Sequence, residues 1–135
     1  MAFSSTLARE EAFPEQMWRD RAERGAAGAE GITFIAERDR EWVGLATGLA
    51  GDPEDPDNPR PVLVGMFVAP AARDRGVGTA LVEAVVAWAR ARRAVGLSLW
   101  VAATNRPAIA LYEKCGFRRT GESKPVGLRM IRDLS

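Results

Sequence analysis

The chain has 135 residues, 47% of them hydrophobic and 27% charged, which suits one soluble domain spanning 1–135 and leaves too little chain for two. Its net charge of +1 hides a polarity: residues 1–59 carry −7 and residues 60–119 carry +7, so a basic half suits a polyanion and an acidic half a cation, without the overall basic excess expected of a nucleic-acid binder. No apolar run or basic leader points to a membrane or to export, a single cysteine excludes an internal disulfide, and the lack of histidine argues against a zinc or iron site; a metal-free protein of the cytoplasm is the expectation.

Ser4, Ser5 and Thr6 suit the cap of a helix opening at Leu7 and broken by Pro14, and a second helix is expected from Glu15 to about Arg24. A small-residue linker, Gly25 to Ala29, follows. Ile32–Glu37 and Glu41–Leu49 read as an antiparallel strand pair. Gly44, Ala46 and Gly48 share one face of the second strand by alternation, which leaves room above it for a ligand or a packed helix. Residues 51–61 form a proline-rich loop with four carboxylates, Asp52, Glu54, Asp55 and Asp57. It reads as a solvated loop whose charge would also attract a cationic ligand.

Val62–Val68 is apolar throughout and is expected to lie centrally, buried on both faces. It feeds the turn Ala69-Pro70-Ala71-Ala72-Arg73-Asp74-Arg75-Gly76-Val77-Gly78-Thr79, after which helical period begins. Two glycines let successive amides point outward and let a ligand approach the main chain, at the end of a helix where unpaired N–H groups and the macrodipole favour phosphate. Arg73 and Arg75 add side-chain donors. Gly78 is followed by Thr79-Ala80, which excludes a P-loop, and Arg73 stands where a dinucleotide fingerprint would need its first glycine.

A helix over 76–93 aligns Val77, Leu81, Val85 and Trp88 on one face. Leu97–Ala102 is the next strand, parallel to Val62–Val68 because a helix joins them, and the gap at their carboxyl ends is where open α/β sheets bind ligands. Asn105 precedes a short helix with Pro107 in its first turn and Gly116 as its stop. Ala108, Leu111, Tyr112 and Cys115 share a face of that helix, so Tyr112 is aimed inward. Cys115 has no histidine to activate it and reads as packing, not as a nucleophile. Two strands, 117–122 and 127–133, close the chain.

The pattern Arg73-x-x-Gly76-x-Gly78, followed by Asn105-x-x-Ala108-x-x-Leu111-Tyr112-x-Lys114-x-Gly116-Phe117, resembles the GCN5-related N-acetyltransferase family over roughly residues 7–133. The resemblance implies an α/β fold: a mixed, mostly antiparallel central sheet with a splayed parallel strand pair and helices on both faces. The strand that usually comes first in the family is not read here, so that either the start is truncated or a short strand has been lost; the edge so left would need cover, for which a homodimer partner is one candidate. It implies an enzyme that moves acetyl from acetyl-CoA to a primary amine by direct attack. Residues Arg73, Asp74, Arg75, Gly76, Val77, Gly78 and Thr79 would hold the cofactor's phosphates, with Arg118 or Arg119 as further candidates. Met66, Phe67 and Val68 would pair with the pantetheine arm beside a bulge, and Asn105 and Ala108 would complete that site. Tyr112 would be the general acid for the departing thiolate. Phe13, Met17 and Trp18 would line the acceptor cleft or belong to the core. No carboxylate lies on Val62–Val68 to serve as base, and Glu37, Glu41, the acidic loop and a water chain stay unranked as substitutes. A non-catalytic acyl-CoA-binding or regulatory module is the alternative.

Overall fold

The computed structural model describes residues 8–10, 16–22, 31–73 and 76–135. In chain order the strands are β1 (Ala8–Glu10), β2 (Gln16–Ala22), β3 (Gly31–Arg38), β4 (Glu41–Leu49) and β5 (Val62–Val68), then β6 (Gly96–Val101), β7 (Arg118–Lys124) and β8 (Gly127–Asp133). A 3₁₀ turn (Pro70–Ala72) and α1 (Val77–Ala91) join β5 to β6, and α2 (Arg106–Lys114) joins β6 to β7. One sheet runs β1-β2-β3-β4-β5-β6-β8-β7. Every neighbouring pair is antiparallel except β5 and β6. The fold is therefore the mixed α/β sheet flanked by helices that the sequence implied.

The room left on β4 is filled by α1. A Cβ on Gly48 would stand 2.6 Å from Trp88 Cζ3, and one on Gly44 2.9 Å from Leu81 Cδ1, so the helix rests directly on the strand. Val77, Leu81 and Val85 are buried as the helical period required, together with Val82, Val86 and Ala89. They join Leu63, Leu97, Leu99, Phe117 and Met130 in one core. Burying each of the larger of these side chains stabilises the fold by about 1.5–3 kcal/mol.

The amino-terminal region departs from the expectation. Where two helices were read, Ala8–Glu10 and Gln16–Ala22 are strands, and β2 pairs with β3 along its whole length, from Gln16 opposite Glu37 to Ala22 opposite Gly31. The N–H and C=O groups along that edge of β3 pair with the facing groups over all seven residues of β2, which outweighs a weak local helical preference. That edge of β3 is consequently paired within the chain. Phe13 lies outside the described residues, and Met17 and Trp18 fall on β2, separated from β5 by β3 and β4.

Candidate functional site

The site begins where two parallel strands part. The ladder between β5 and β6 has two rungs, Val62 with Ser98 and Leu63 with Leu99. β6 stays paired with β8 as far as Val101, while β5 bends away. Against β4, the register of β5 shifts between Val64, which faces Thr47, and Phe67, which faces Leu45, so Gly65 and Met66 together oppose Ala46. Gly65 has φ +62, the left-handed conformation that a glycine bulge requires. Val62 and Leu63 are buried, but Gly65 and Phe67 are exposed. The expectation of burial on both faces thus fails beyond Leu63, where β5 leaves β6 and borders an open cleft. The backbone groups of Val64–Val68 that turn away from β4 face a cleft of about 750 Å³.

The glycine turn and the start of α1 also border that cleft. Gly76, with φ +83, precedes the first residue of α1, and no acidic side chain occupies the first helical turn. The two glycines have separate tasks. Gly76 supplies a conformation, since nothing lies within 4 Å of a Cβ added there, whereas a Cβ on Gly78 would meet Leu111 Cδ2 at 3.1 Å. The second glycine lets the start of α1 approach α2 and β5. Arg73 lines the cleft and its Nε donates to the Val68 carbonyl at 3.2 Å, tying the turn to the end of β5. The charged side chains among the described lining residues are Arg73 and Lys114, both cationic, as a polyanion requires.

α2 supplies the third wall. Asn105 caps it, its Oδ1 accepting from the Ala108 amide at 3.3 Å, which leaves its NH₂ group for the cleft. Tyr112 is buried and lines the cleft, its ring 5.9 Å from that of Phe117 and tilted by 59°. Burial, with a smaller contribution from Cys115, pushes its phenol up to about 12. Burial likewise raises the Cys115 thiol, which is enclosed behind α2.

The opposite face of the sheet is built differently. Gly44 and Gly48 of β4 lie against α1. Their β5 partners Val68 and Leu63 share that face, while Val64 and Phe67, opposite Thr47 and Leu45, point to the other. On β6, Ser98 and Trp100 also belong to the other face, alternating with the core residues Leu97, Leu99 and Val101. Trp100 lines the cleft, and its Nε1 donates to Asp52 Oδ2 at 3.0 Å. The Arg129 guanidinium lies 4.6 Å from the Trp100 ring centroid. It bonds Asp55 Oδ2 at 2.6 Å and Glu122 Oε1 at 2.9 Å, with Asp52 Oδ2 at 3.6 Å. Burial opposes the Arg129 charge, but the bonds to Asp55 and Glu122 outweigh it and raise its pKa; the same bond holds the Asp55 carboxyl below the ordinary range. The acidic loop is therefore not merely solvated. Asp52 and Asn58 are 4% and 8% exposed, and Asn58 Nδ2 donates to Ser98 Oγ at 3.0 Å.

Of the residues singled out from sequence, Met66, Phe67, Val68, Arg73, Gly76, Gly78, Thr79, Asn105, Ala108 and Tyr112 are brought together around this cleft. Asp74 and Arg75 lie outside the described residues, and the Val77 side chain is in the core, leaving only its main chain to face the turn. Arg118 and Arg119 line a separate hollow with Arg60. Among the described residues lining the cleft there is no carboxylate; Glu37 and Glu41 are not among them. Leu63, Val64, Gly65, Trp100, Val101, Ala102, Pro107, Leu111 and Lys114 also line it. Leu111 and Lys114 stood inside the second motif; Trp100 carried no local signal, since its place depends on where β5 leaves β6.

Residues 2–117 match the family described as Acetyltransferase (GNAT) family. The mycothiol acetyltransferase of Acidothermus cellulolyticus is 37% identical over 101 residues, which are 65% of this chain and 30% of that protein. The chain thus spans less than a third of that relative's length. Among solved structures, a nourseothricin acetyltransferase superposes with a TM-score of 0.67 at 28% identity, covering 78% of this chain and 66% of the other. A Bacillus anthracis str. Ames protein solved in complex with acetyl coenzyme A has the same fold, with a TM-score of 0.67 at 21% identity over 78% of this chain and 63% of that one. Among the described residues no helix is long and apolar enough to cross a membrane.

Proposed function

The chain belongs to the acetyltransferase (GNAT) family, and from that premise we propose that it transfers an acetyl group from acetyl-CoA to the primary amine of an acceptor by direct attack, within a single domain. The observation that carries this reading is the bulged, unpaired edge of β5 from Val64 to Val68, running to the amides at the start of α1. An elongated molecule with an amide-bearing arm and an anionic end fits such a groove. When bound, acetyl-CoA supplies an activated thioester.

This chain's own residues would do the rest. The amides of Gly76–Thr79, with Arg73, would hold the phosphates. Main-chain groups of Met66, Phe67 and Val68 would pair with the arm, and N–H groups at the bulge would donate to the acyl oxygen. Tyr112 would donate to the sulfur. A phenol at about 12 facing a thiol near 8.5 makes full proton transfer uphill by about 3.5 units, or roughly 5 kcal/mol. The burial that raises the phenol also raises a thiol beside it, which narrows the gap. Tyr112 is thus a hydrogen-bond donor that delivers its proton late. With no described carboxylate on the cleft, solvent would take the amine's proton.

Thiol release from acetyl-CoA in the presence of an amine panel tests the reading, with Tyr112→Phe as the informative variant. The variant is expected to bind acetyl-CoA normally and to lose about a hundredfold or more in kcat. The lack of a carboxylate among the described lining residues favours the second reading, a non-catalytic acyl-CoA-binding module. That reading predicts binding with no thiol release before or after the substitution.

A further inference from the structure

The Trp100 side of the cleft has a construction that acetyl transfer as such does not require. Among the described residues α1 and α2 border the cleft on one face of the sheet, and its other side lies between Phe67, which is 51% exposed, and Trp100, the side taken for the acceptor. Trp100 is fixed in three ways: its N–H is bonded to the buried Asp52, one region of its ring lies against Arg129, and Lys124 Nζ stands 5.7 Å from its centroid. Lys124 is itself held by the Glu54 carbonyl at 2.7 Å. An indole whose N–H is already bonded to Asp52 offers the cleft carbon surface and no free hydrogen-bond donor. Around the indole three carboxylates, Asp52, Asp55 and Glu122, meet two cations, Arg129 and Lys124, so on this side of the cleft the balance favours an ammonium over an anion, in contrast to the Arg73 and Lys114 lining.

From this we infer that Trp100 is the specificity-determining wall of the acceptor side, and that the acceptor is an amine carried on an apolar or aromatic body, without a phosphate or other anionic group. Asp52 is the positioning residue that holds the indole. The inference rests on the reading under Proposed function, and its test is read by binding as well as by turnover.

Phenethylamine and phosphoethanolamine are titrated calorimetrically into the full chain saturated with coenzyme A, and both are offered as substrates with acetyl-CoA. Phenethylamine is expected to bind and to release thiol, and phosphoethanolamine to do neither. Trp100→Ala should weaken phenethylamine binding and raise its KM by about tenfold, the scale of one lost aromatic contact, with the KM for acetyl-CoA unchanged. Trp100→Phe should retain most of the affinity, and Asp52→Asn, which keeps an acceptor for the indole N–H, should do better than Asp52→Ala. Should Trp100→Ala fail to fold, Trp100→Leu removes the ring while leaving a larger apolar side chain than alanine, and the same split is read. Preference for phosphoethanolamine, or an unchanged phenethylamine affinity in the Trp100 variant while thiol release persists, overturns this inference alone. Absence of thiol release with every amine, with coenzyme A still bound, overturns the acetyl-transfer reading and this inference with it.

Discussion

Tyr112 is the sole tyrosine of the chain, so its ionisation can be followed by ultraviolet difference absorbance without interference from another phenol. Burial holds it protonated up to about 12, above the ordinary value near 10. Its folded pKa is the higher one, so the native state keeps the proton that the unfolded chain releases. The stability linked to this group is fully present below about pH 10 and is lost as pH rises toward 12. The expected outcome is a phenolate transition near 12 in the native protein and near 10 after denaturation; coincident transitions would mean that the ring is exposed. The residue type and its inward aim were legible from the helical spacing of Ala108, Leu111 and Tyr112. The size of the shift was not, because it depends on Phe117 and the core beyond it.

Among the elements, β5 carries the strongest demand on a single position. Gly65 must hold φ +62 for two residues to oppose Ala46. Gly65→Ala forces a Cβ into the left-handed region at about 1–2 kcal/mol. Its nearest neighbours are no closer than 3.7 Å, at Thr47 Oγ1, so the expected loss comes from backbone strain and not from a clash. Denaturant unfolding should show that loss together with weaker coenzyme A binding; unchanged stability would contradict the bulge. An apolar run such as Val62–Val68 announces a strand and its centrality, but a bulge leaves no mark in composition. The converse holds at the amino terminus. Local capping and spacing suggested helices over 7–24, and the structure instead pairs Gln16–Ala22 with β3, a long-range pairing that no local window contains.

At the scale of the whole molecule, Arg129 joins the β4–β5 loop, β6 and β7 through Asp55, Trp100 and Glu122. The polarity of charge along the sequence pointed to an acidic loop, yet not to its being held, since besides Glu54 and Asn58 within the loop the partners of Asp52 are Trp100 and Arg129, distant in sequence and brought together by strand order. Removing the cation by Arg129→Ala leaves the Asp52 carboxylate, 1% exposed as a side chain, without its charge partner. A loss of about 3–5 kcal/mol is expected, read by chemical denaturation. A loss below about 1 kcal/mol would mean that the network is no more than a solvated surface cluster.

The central claim is that the unpaired edge of β5 and the start of α1 together receive coenzyme A, and amide chemical shifts of the full chain recorded during a coenzyme A titration measure it most directly. The largest saturable changes are expected on Val64–Val68 and Gly76–Thr79, with Ala108 and Tyr112 following. Changes confined to the hollow of Arg60, Arg118 and Arg119, or no saturable change at all, would contradict it.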